Sequence, residues 1–278
     1  MEQSIIAKLA AVQAGNAPNA VMVVVVATSD SAPQSPGARM LVMADGTTHG
    51  TVGGGAIEKL AIDHAGEMLN RNIETDFKSY DMDSEVKQGD RATGMMCGGS
   101  MSLYYELVAP EERFIVYGCG HIGSILAPLA SKCGFHVVAV DHRTEMCESG
   151  RLGPGVDIQC ILPQDHAEKL EIRPTDTIVI MTHNHQFDAA VLENLLRGLK
   201  METMPRYIGM IGSKKKVKVI LQRLNENGIA QSILDAVHTP IGLKIGGGSP
   251  GEIAVSVIAE VIAVKHDKIQ DGAVQAMC

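Results

Sequence analysis

The chain has no tryptophan and few other aromatic residues, with four Phe and five Tyr among 278 residues. Proteins that stack bases depend on aromatic side chains, and proteins that bind a phosphate backbone need basic surface. The formal net charge of this chain is −8. The composition therefore argues against a nucleic-acid partner, although it allows a local basic pocket for one small phosphate.

Long apolar runs and secretion signals are also missing. The start, Met1-Glu2-Gln3-Ser4, has neither the basic segment nor the apolar core of a signal peptide. The longest early apolar run, Val21–Ala27, is much shorter than the roughly 20 residues that cross a bilayer. We therefore expect a cytoplasmic protein that does not enter a membrane.

The cysteines show no metal-binding pattern, because they form no C-x-x-C pair and no zinc-finger spacing. In a reducing compartment most of them should be free thiols, and several should be buried as small apolar residues. The six are Cys97, Cys119, Cys133, Cys147, Cys160 and Cys278.

What the sequence does contain is enough apolar residues, 45%, for two cores in 278 residues. A polar, proline-bearing segment at Ala109–Glu112 separates two regions with different patterns. We expect one domain at residues 1–110 and a second at residues 111–278.

The first region predicts a small α+β domain. Val21–Ala27 is β-branched and short, as in a buried strand. Met40–Met43 and His49–Val52 flank Asp45-Gly46, which indicates a hairpin. A helix should follow Gly53-Gly54-Gly55, and a second β region should run from about residue 73 to residue 107.

The second region alternates strands with helices, which is typical of a parallel sheet with crossover helices. We expect an α/β protein with a C-terminal Rossmann-type, doubly wound parallel sheet and a smaller N-terminal α+β domain. The strand candidates are Phe114–Tyr117, His136–Val140, Thr177–Met181 and Tyr207–Ile211, and the helix candidates are Ile122–Lys132, Asp188–Leu199, Lys214–Asn225 and Pro250–Val264.

A G-x-G-x-x-G fingerprint lies between the first strand and first helix of this second region. Gly118 would permit a tight turn, Gly120 would let the backbone approach a pyrophosphate, and Gly123 would allow close helix packing. Asp141, at the end of the next strand, could accept a hydrogen bond from a ribose hydroxyl. Arg143 complicates this, because an arginine there can bind an extra phosphate, so NAD and NADP both remain open.

Cys119 and His121 occupy the variable positions of the same loop. They are either indifferent loop residues or ligand contacts, in which case the helix N-terminus would lower the pKa of the Cys119 thiol. A Rossmann fold with a vestigial site is a further alternative.

The segment Thr182–Asp188 follows a strand at the carboxyl edge of the sheet, where ligands bind in open α/β folds. His183 and His185 could bind a metal or act as acid–base groups. Because no third metal ligand can be identified, we favour a ligand-contacting loop over a metal site. A helix-capping loop with Asp188 near the helix start remains open.

Another strand end runs into a helix at Gly212-Ser213-Lys214, where backbone amides and Lys214 could hold an anion. Lys215, Lys216 and Lys218 are better explained as a solvated helix face.

In the first region, Arg39 and the amides of Gly53, Gly54 and Gly55 could also hold an anion. Cys97-Gly98 would place a thiol on a flexible backbone. No nucleophile, base and acid can be combined into a catalytic set, so we name no catalytic residue.

These pieces occur in an order that resembles the XdhC/CoxI family, accessory proteins of xanthine dehydrogenase and related molybdenum hydroxylases. The resemblance covers residues from about 20 to 266, and one departure is Gln34, where family members often have Arg. The matching stretches are Ser31–Met40, Gly50–Glu58, Cys97–Gly99, Gly118–Gly123 with Asp141, Thr182–Asp188, Tyr207–Ser213 and Pro240–Glu252.

The resemblance implies a protein that binds molybdenum cofactor, as molybdopterin or its dinucleotide form, and helps insert it into a xanthine dehydrogenase-type molybdoenzyme. It also implies a cysteine desulfurase partner for cofactor sulfuration and a homodimer. We expect a cofactor chaperone without turnover. The rivals are an NAD(P)-dependent oxidoreductase and an interaction protein that has kept a Rossmann fold without its ligand.

Overall fold

The computed structural model describes residues 2–30, 32–81, 99–148, 150–270 and 273–274. The chain divides into two compact units, Met1–Glu111 and Glu112–Cys278. Each unit has its own sheet and its own apolar clusters. No helix in these described ranges is long and apolar enough to cross a membrane.

The described part of the first unit forms an antiparallel sheet and two helices. Its elements are α1 (Glu2–Gln13), β1 (Ala20–Asp30), β2 (Arg39–Met43), β3 (Thr48–Gly50), α2 (Gly55–Arg71), β4 (Thr75–Asp81) and β5 (Gly99–Val108). The strands lie in the order β3-β2-β1-β5-β4. The predicted hairpin is confirmed as β2–β3: the Asp45 carboxylate accepts a hydrogen bond from the Thr47 amide at 2.9 Å, and Gly46 turns the chain with φ 81°.

The central strand β1 is apolar on both faces because both faces are covered. Val21, Val23 and Val25 belong to the cluster that contains α2 residues. Ala20 and Met22 belong to the cluster that contains α1 residues. A strand buried on both sides therefore reads as an unbroken apolar run rather than as an alternating one.

The second unit confirms the predicted Rossmann-type parallel sheet. Its elements are β6 (Arg113–Tyr117), α3 (Gly123–Lys132), β7 (His136–Asp141), β8 (Val156–Cys160), α4 (Pro163–Lys169), β9 (Thr177–Ile180), α5 (His185–Leu196), β10 (Tyr207–Met210), α6 (Lys214–Glu226), α7 (Gln231–Asp235), α8 (Pro250–Lys265), β11 (Ile269–Gln270) and β12 (Ala273–Val274). The parallel strands lie in the order β10-β9-β6-β7-β8. If these five strands are numbered 1 to 5 along the chain and read from the β8 edge, the order is 3-2-1-4-5, as in dinucleotide-binding folds.

Helices cover both faces of this sheet. Val116 and Val179 pack in the cluster that holds residues of α3 and α8, whereas Ile115 and Ile178 pack in the cluster with α5 and α6. The connections from β6 and from β9 therefore leave on opposite faces. A crevice forms at the carboxyl ends of the strands where the connections diverge in this way.

The first residue of the second unit ties three of its elements together. The carboxylate of Glu112 accepts from Arg206, just before β10, and from Lys265, at the end of α8. Burial alone would raise the pKa of Glu112, but hydrogen bonds from Lys265 and Arg206 hold it below its usual value. The start of β6 is thus fixed to the start of β10 and to the last helix.

Candidate functional site

A cleft of about 350 Å³ opens at the switch point of the parallel sheet. Its walls come from the glycine loop after β6, the turn after β7, the loop after β9 and the residue after β10. The lining residues are Gly120, His121, Ile122, Ser124, Arg143, Met146, Arg151, Met181, Thr182, His183 and Ile211.

The three glycines of the fingerprint have different steric roles. Gly118 has φ 108°, and a Cβ there would lie 2.4 Å from the Met181 carbonyl oxygen. A Cβ on Gly123 would lie 1.9 Å from the Gly118 carbonyl oxygen. At Gly120 the nearest atom would be Arg143 Nη2, at 3.9 Å. Gly118 and Gly123 are therefore needed for packing, whereas Gly120 leaves room in the cleft.

Asp141 lies beneath this loop with its carboxylate already engaged. Oδ2 accepts from the Cys119 amide and from Arg143 Nη2, both at 2.8 Å. Oδ1 accepts from the Arg143 amide at 3.1 Å and from Arg143 Nε at 3.0 Å. The side chain is 3% exposed. Asp141 therefore holds the loop and an arginine, instead of standing open to a ribose hydroxyl as the sequence suggested.

The same contacts set the charge of the site. Burial alone would raise the pKa of Asp141, but hydrogen bonds from Arg143 and from the Cys119 amide lower it to about 2. The carboxylate therefore stays ionised at neutral pH, and Arg143 stays bound to it. The aspartate fixes the guanidinium at the wall of the cleft.

The structure corrects the expectation for Cys119. Its side chain is fully buried in the core cluster beside α3 and does not line the cleft. Burial, followed by the negative charge of Asp141, raises the pKa of the thiol to about 12. A helix N-terminus does not activate this thiol, whereas the other variable residue, His121, is exposed and does line the cleft.

The cleft is basic. Arg143 and Arg151 line it together with two histidines, and none of the described lining residues is acidic. Helix α3, which the loop opens, has no acidic residue in its first turn. Guanidinium groups beside a helix N-terminus favour a phosphate or another anion. Arg151 carried no motif in the sequence, and only the fold brings it to this site.

The loop after β9 is held by a buried acid. Asp188 Oδ1 accepts from the Thr182 amide at 2.9 Å and from Thr182 Oγ1 at 2.6 Å. Its Oδ2 accepts from Lys216 Nζ at 2.8 Å. Asn184, rather than Asp188, caps α5 by accepting the Gln186 amide. Lys216 is therefore not part of a merely solvated face, as we expected, because it pairs with a fully buried carboxylate.

The two predicted histidines of this loop separate. His183 lines the cleft, while His185 is the exposed first residue of α5 and does not. The His183 ring lies 5.4 Å from the His142 ring and 5.6 Å from the Phe187 ring, measured between centroids. These three rings form an aromatic patch beside the cleft. Within the described part of the chain, no three His, Cys, Asp or Glu side chains meet as metal ligands.

Gly212, Ser213 and Lys214 lie after β10, beyond the cleft lining. The Ser213 hydroxyl caps α6 by accepting the Lys216 amide at 3.3 Å. Lys214 is exposed and faces a different depression, which Lys218 and Thr239 also line. The structure therefore does not bring Lys214 together with the arginines.

The glycine loop of the first unit is occupied by its own side chains. Glu58 Oε2 accepts from the Gly54 amide at 3.0 Å and from Thr51 Oγ1 at 2.6 Å. The Gly53 amide donates to Thr51 Oγ1 at 3.1 Å. A carboxylate of the chain thus takes the place that we expected an external anion to take.

The other predicted residues of the first unit lie apart from that loop or outside the described ranges. Gly55 is the first residue of α2. Arg39 is exposed and lines a mainly apolar groove of about 400 Å³ with Ile5 and Leu9 of α1. Cys97 and Gly98 lie outside the described residues.

Comparison with known families identifies both regions of the chain. Residues 114–261 match the family described as the XdhC Rossmann domain, and residues 14–81 match the XdhC and CoxI family. The first of these matches covers more than half of the chain.

Curated relatives agree with this match. The uncharacterized protein YqeB of Escherichia coli (strain K12) is 31% identical over 237 residues, 83% of this chain and 41% of YqeB. A Bacillus subtilis (strain 168) protein, named as a probable subunit of xanthine dehydrogenase, is 30% identical over 59% of this chain and 46% of its own length. The chain thus spans less than half the length of these two relatives.

Two further comparisons cover most of both chains. The molybdenum cofactor insertion chaperone PaoD of Escherichia coli (strain K12) is 21% identical over 91% of this chain and 86% of its own length. A crystal structure described as a xanthine dehydrogenase from Bacillus halodurans superposes with a TM-score of 0.50, 24% identity and 97% coverage of both chains. At that identity the superposition supports the fold alone.

Proposed function

The chain belongs to the XdhC and CoxI family, and on that premise we propose that it is an accessory protein that binds molybdenum cofactor. One observation carries the choice of site. In the cleft of the second unit, Arg143 and Arg151 lie beside a glycine loop that opens a helix without an acidic first turn. That combination suits a ligand that ends in a phosphate.

The residues present fit this part of the cofactor. Gly120 leaves space where the backbone must come close, and Asp141 holds Arg143 in place for a phosphate oxygen. The patch of His142, His183 and Phe187 offers flat rings beside the cleft for a pterin. When bound, the cofactor supplies the molybdenum redox centre for a partner enzyme, while this chain's residues bind it and orient it.

We further propose that the protein hands the cofactor to a xanthine dehydrogenase-type molybdoenzyme. The support is family membership together with a relative that is named an insertion chaperone. Help with sulfuration, a cysteine desulfurase partner, a homodimeric state and a cytoplasmic location are supported by the family resemblance alone. The protein would act without turnover of its own.

A nicotinamide dinucleotide is the second candidate ligand, because the strand order and the complete glycine loop are those of dinucleotide-binding folds. The contacts of Asp141 weigh against it. Both carboxylate oxygens are engaged by Arg143, so a ribose hydroxyl would have to compete with an ion pair.

Parallel titrations of the purified protein separate these candidates. We expect tight binding of molybdenum cofactor, weak binding of NADH and NADPH, and no reductase activity. Arg143→Gln and Arg151→Gln should each weaken cofactor binding about tenfold, since a charge-assisted hydrogen bond contributes about 1.5 kcal/mol. Lys214→Gln is the matched control, because this exposed lysine does not line the cleft.

Two results would contradict the proposal. Nicotinamide binding with turnover of a carbonyl substrate would make the protein an oxidoreductase. Equal loss of affinity in the Lys214 variant and the arginine variants would show that the ligand binds through general charge rather than in this cleft. Cofactor transfer is tested separately, by activation of a cofactor-free molybdenum hydroxylase with and without the loaded protein.

A further inference from the structure

Cys147, in the turn that follows β7, and Cys160, the last residue of β8, both lie beside Asp141 at the carboxyl edge of the parallel sheet. Strand pairing places Cys160 next to Asp141. The Asp141 carbonyl oxygen accepts from Cys147 Sγ at 3.2 Å and from the Ile161 amide, directly after Cys160, at 3.1 Å. The Cys147 thiol and the backbone that follows Cys160 therefore meet at one carbonyl oxygen, which places the two cysteines next to each other.

These two thiols differ in access. Cys147 is half-buried and also donates to the Arg143 carbonyl oxygen at 3.2 Å, whereas Cys160 is exposed. Burial, followed by the interaction with the Cys160 thiol, raises the pKa of Cys147 to about 12. Cys160 is therefore the thiol that meets a reagent first, and Cys147 is the protonated neighbour behind it.

The other described cysteines lack this arrangement. Cys119 is buried in the core, and Cys133 is exposed at the end of α3, at the opposite end of the parallel sheet from the cleft. We propose that Cys147 and Cys160 form a redox-reactive dithiol that closes to an intramolecular disulfide when it meets a small oxidising disulfide such as glutathione disulfide.

The reaction proceeds by thiol–disulfide exchange. The Cys160 thiolate attacks one sulfur of glutathione disulfide, which forms a mixed disulfide and releases one glutathione thiolate. The Cys147 thiol then gives its proton to the released glutathione thiolate and attacks the Cys160 sulfur, which forms the Cys147–Cys160 bond and releases the second glutathione as a thiolate that takes a proton from water. The two protein thiols lose two electrons and two protons, and the glutathione disulfide is reduced to two thiols.

The disulfide would affect the turn that carries Arg143. In the reduced protein the Cys147 sulfur lies 3.2 Å from the carbonyl oxygens of both Asp141 and Arg143, and its single S–H, shared between them, braces the turn after β7. Oxidation removes that donor and pulls Cys147 toward β8. We expect the backbone amides of residues 143–147 to exchange with solvent several-fold faster in the oxidised protein.

Peptide mapping of the full chain tests the disulfide. The reduced protein is incubated with glutathione disulfide, its free thiols are alkylated, and it is digested with trypsin, which leaves Cys147 in Thr144–Arg151 and Cys160 in Leu152–Lys169. We expect these two peptides to appear joined, and to separate after reduction. Hydrogen exchange of the same samples measures the turn without any ligand, so both readouts are independent of the cofactor proposal.

Three variants complete the test. Cys160→Ser should abolish the joined peptides, Cys147→Ser should leave Cys160 as a stable glutathione adduct, and the control Cys133→Ser should behave like the wild type. If wild-type Cys160 accumulates only as a glutathione adduct while Cys147 stays free, or if both thiols stay unreacted, the dithiol proposal is wrong. If the disulfide forms but the backbone amides of residues 143–147 exchange at the same rate as in the reduced protein, the disulfide does not affect the turn after β7.

Discussion

Each unit of the protein has a glycine loop that leads into a helix, Gly53–Gly55 before α2 and Gly118–Gly123 before α3. In each loop a backbone amide donates a hydrogen bond to a carboxylate. In the first unit that carboxylate is Glu58, in the first turn of the same helix. In the second unit it is Asp141, at the end of the neighbouring strand. The loops thus share their composition and differ in where the acid comes from.

That difference decides how much space and charge each loop leaves. A carboxylate within the helix itself neutralises the N-terminus and fills the loop. A carboxylate from the next strand engages the base of the loop at Cys119 and leaves the cleft side at Gly120 with open space. The first loop is therefore filled by an acid of its own helix, whereas the second loop keeps open space beside Gly120.

The largest expected effect comes from adding one methyl group at Gly123. Because its Cβ would lie 1.9 Å from the Gly118 carbonyl oxygen, we expect Gly123→Ala to lower the free energy of unfolding by roughly 3 kcal/mol. Denaturant unfolding measures it. Gly66→Ala in α2, where a Cβ meets no atom within 4 Å, is the control and should stabilise by about 0.5–1 kcal/mol. Equal effects would mean that the second loop is not tightly packed.

Removing Asp141, the acid of the second loop, should have the next largest effect on the free energy of unfolding, and this effect should depend on pH. The pKa of Asp141 in the folded protein is lowered to about 2. Its contribution to the free energy of unfolding is therefore complete above the unfolded-state pKa of about 3.9 and is lost as the pH falls toward 2. We expect Asp141→Asn to cost on the order of 2 kcal/mol at pH 7, and the gap to the wild type to shrink below pH 4.

Exposed Asp157 on β8 provides the control for this measurement. Asp157→Asn removes the same charge from the same sheet and should change stability by less than about 0.5 kcal/mol. A gap between the wild type and Asp141→Asn that stays constant down to pH 2 would contradict the ion pair with Arg143.

Replacing Glu58, the acid of the first loop, should lower stability less, because the amide oxygen of a glutamine can still accept part of these hydrogen bonds. We expect Glu58→Gln to destabilise the protein by about 1 kcal/mol. It should also make stability respond more strongly to sulfate, since the loop amides lose their internal anion. Asp63→Asn, exposed on the same helix, corrects for the general effect of the salt. Identical sulfate responses in the two variants would mean that the first loop cannot be converted into an anion site.

The smallest effect on stability is expected where the second loop is open. A Cβ at position 120 would meet no protein atom closer than 3.9 Å and would stand at the open cleft, so Gly120→Val should change the free energy of unfolding by less than about 0.5 kcal/mol. Binding of molybdenum cofactor should nevertheless weaken at least tenfold, or about 1.4 kcal/mol. Ile125→Val, on the exposed side of α3, should leave affinity unchanged. Full affinity in Gly120→Val would place the ligand elsewhere.

Four strands of the second unit were predictable because they are buried on both faces. β6, β7, β9 and β10 each read as short apolar runs for that reason. β8 was missed, because it lies at the edge of the sheet and its side chains are only half-buried or exposed. Its alternating polar residues resemble a loop when the neighbouring strand is unknown.

The backbone of the candidate site was also predictable, but its side-chain contacts were not. Gly118 and Gly123 follow from the steric demands of the turn. That Arg143 folds back onto Asp141, or that Lys216 reaches Asp188 across 28 positions of the chain, depends on three-dimensional contacts that residue spacing does not encode. The buried direction of Cys119 likewise follows from the packing of α3 against the sheet.

The ion pairs of Glu112 have a practical consequence for anyone who cuts the chain into its two units. A fragment that begins at Arg113 contains every strand of the second sheet, yet it leaves Arg206 and Lys265 without their shared acid. A fragment that begins at Pro110 keeps that acid and the connection between the first strand and the last helix. Three residues at the truncation point therefore decide whether the fragment keeps the two ion pairs of Glu112 that hold the start of β6 to β10 and α8.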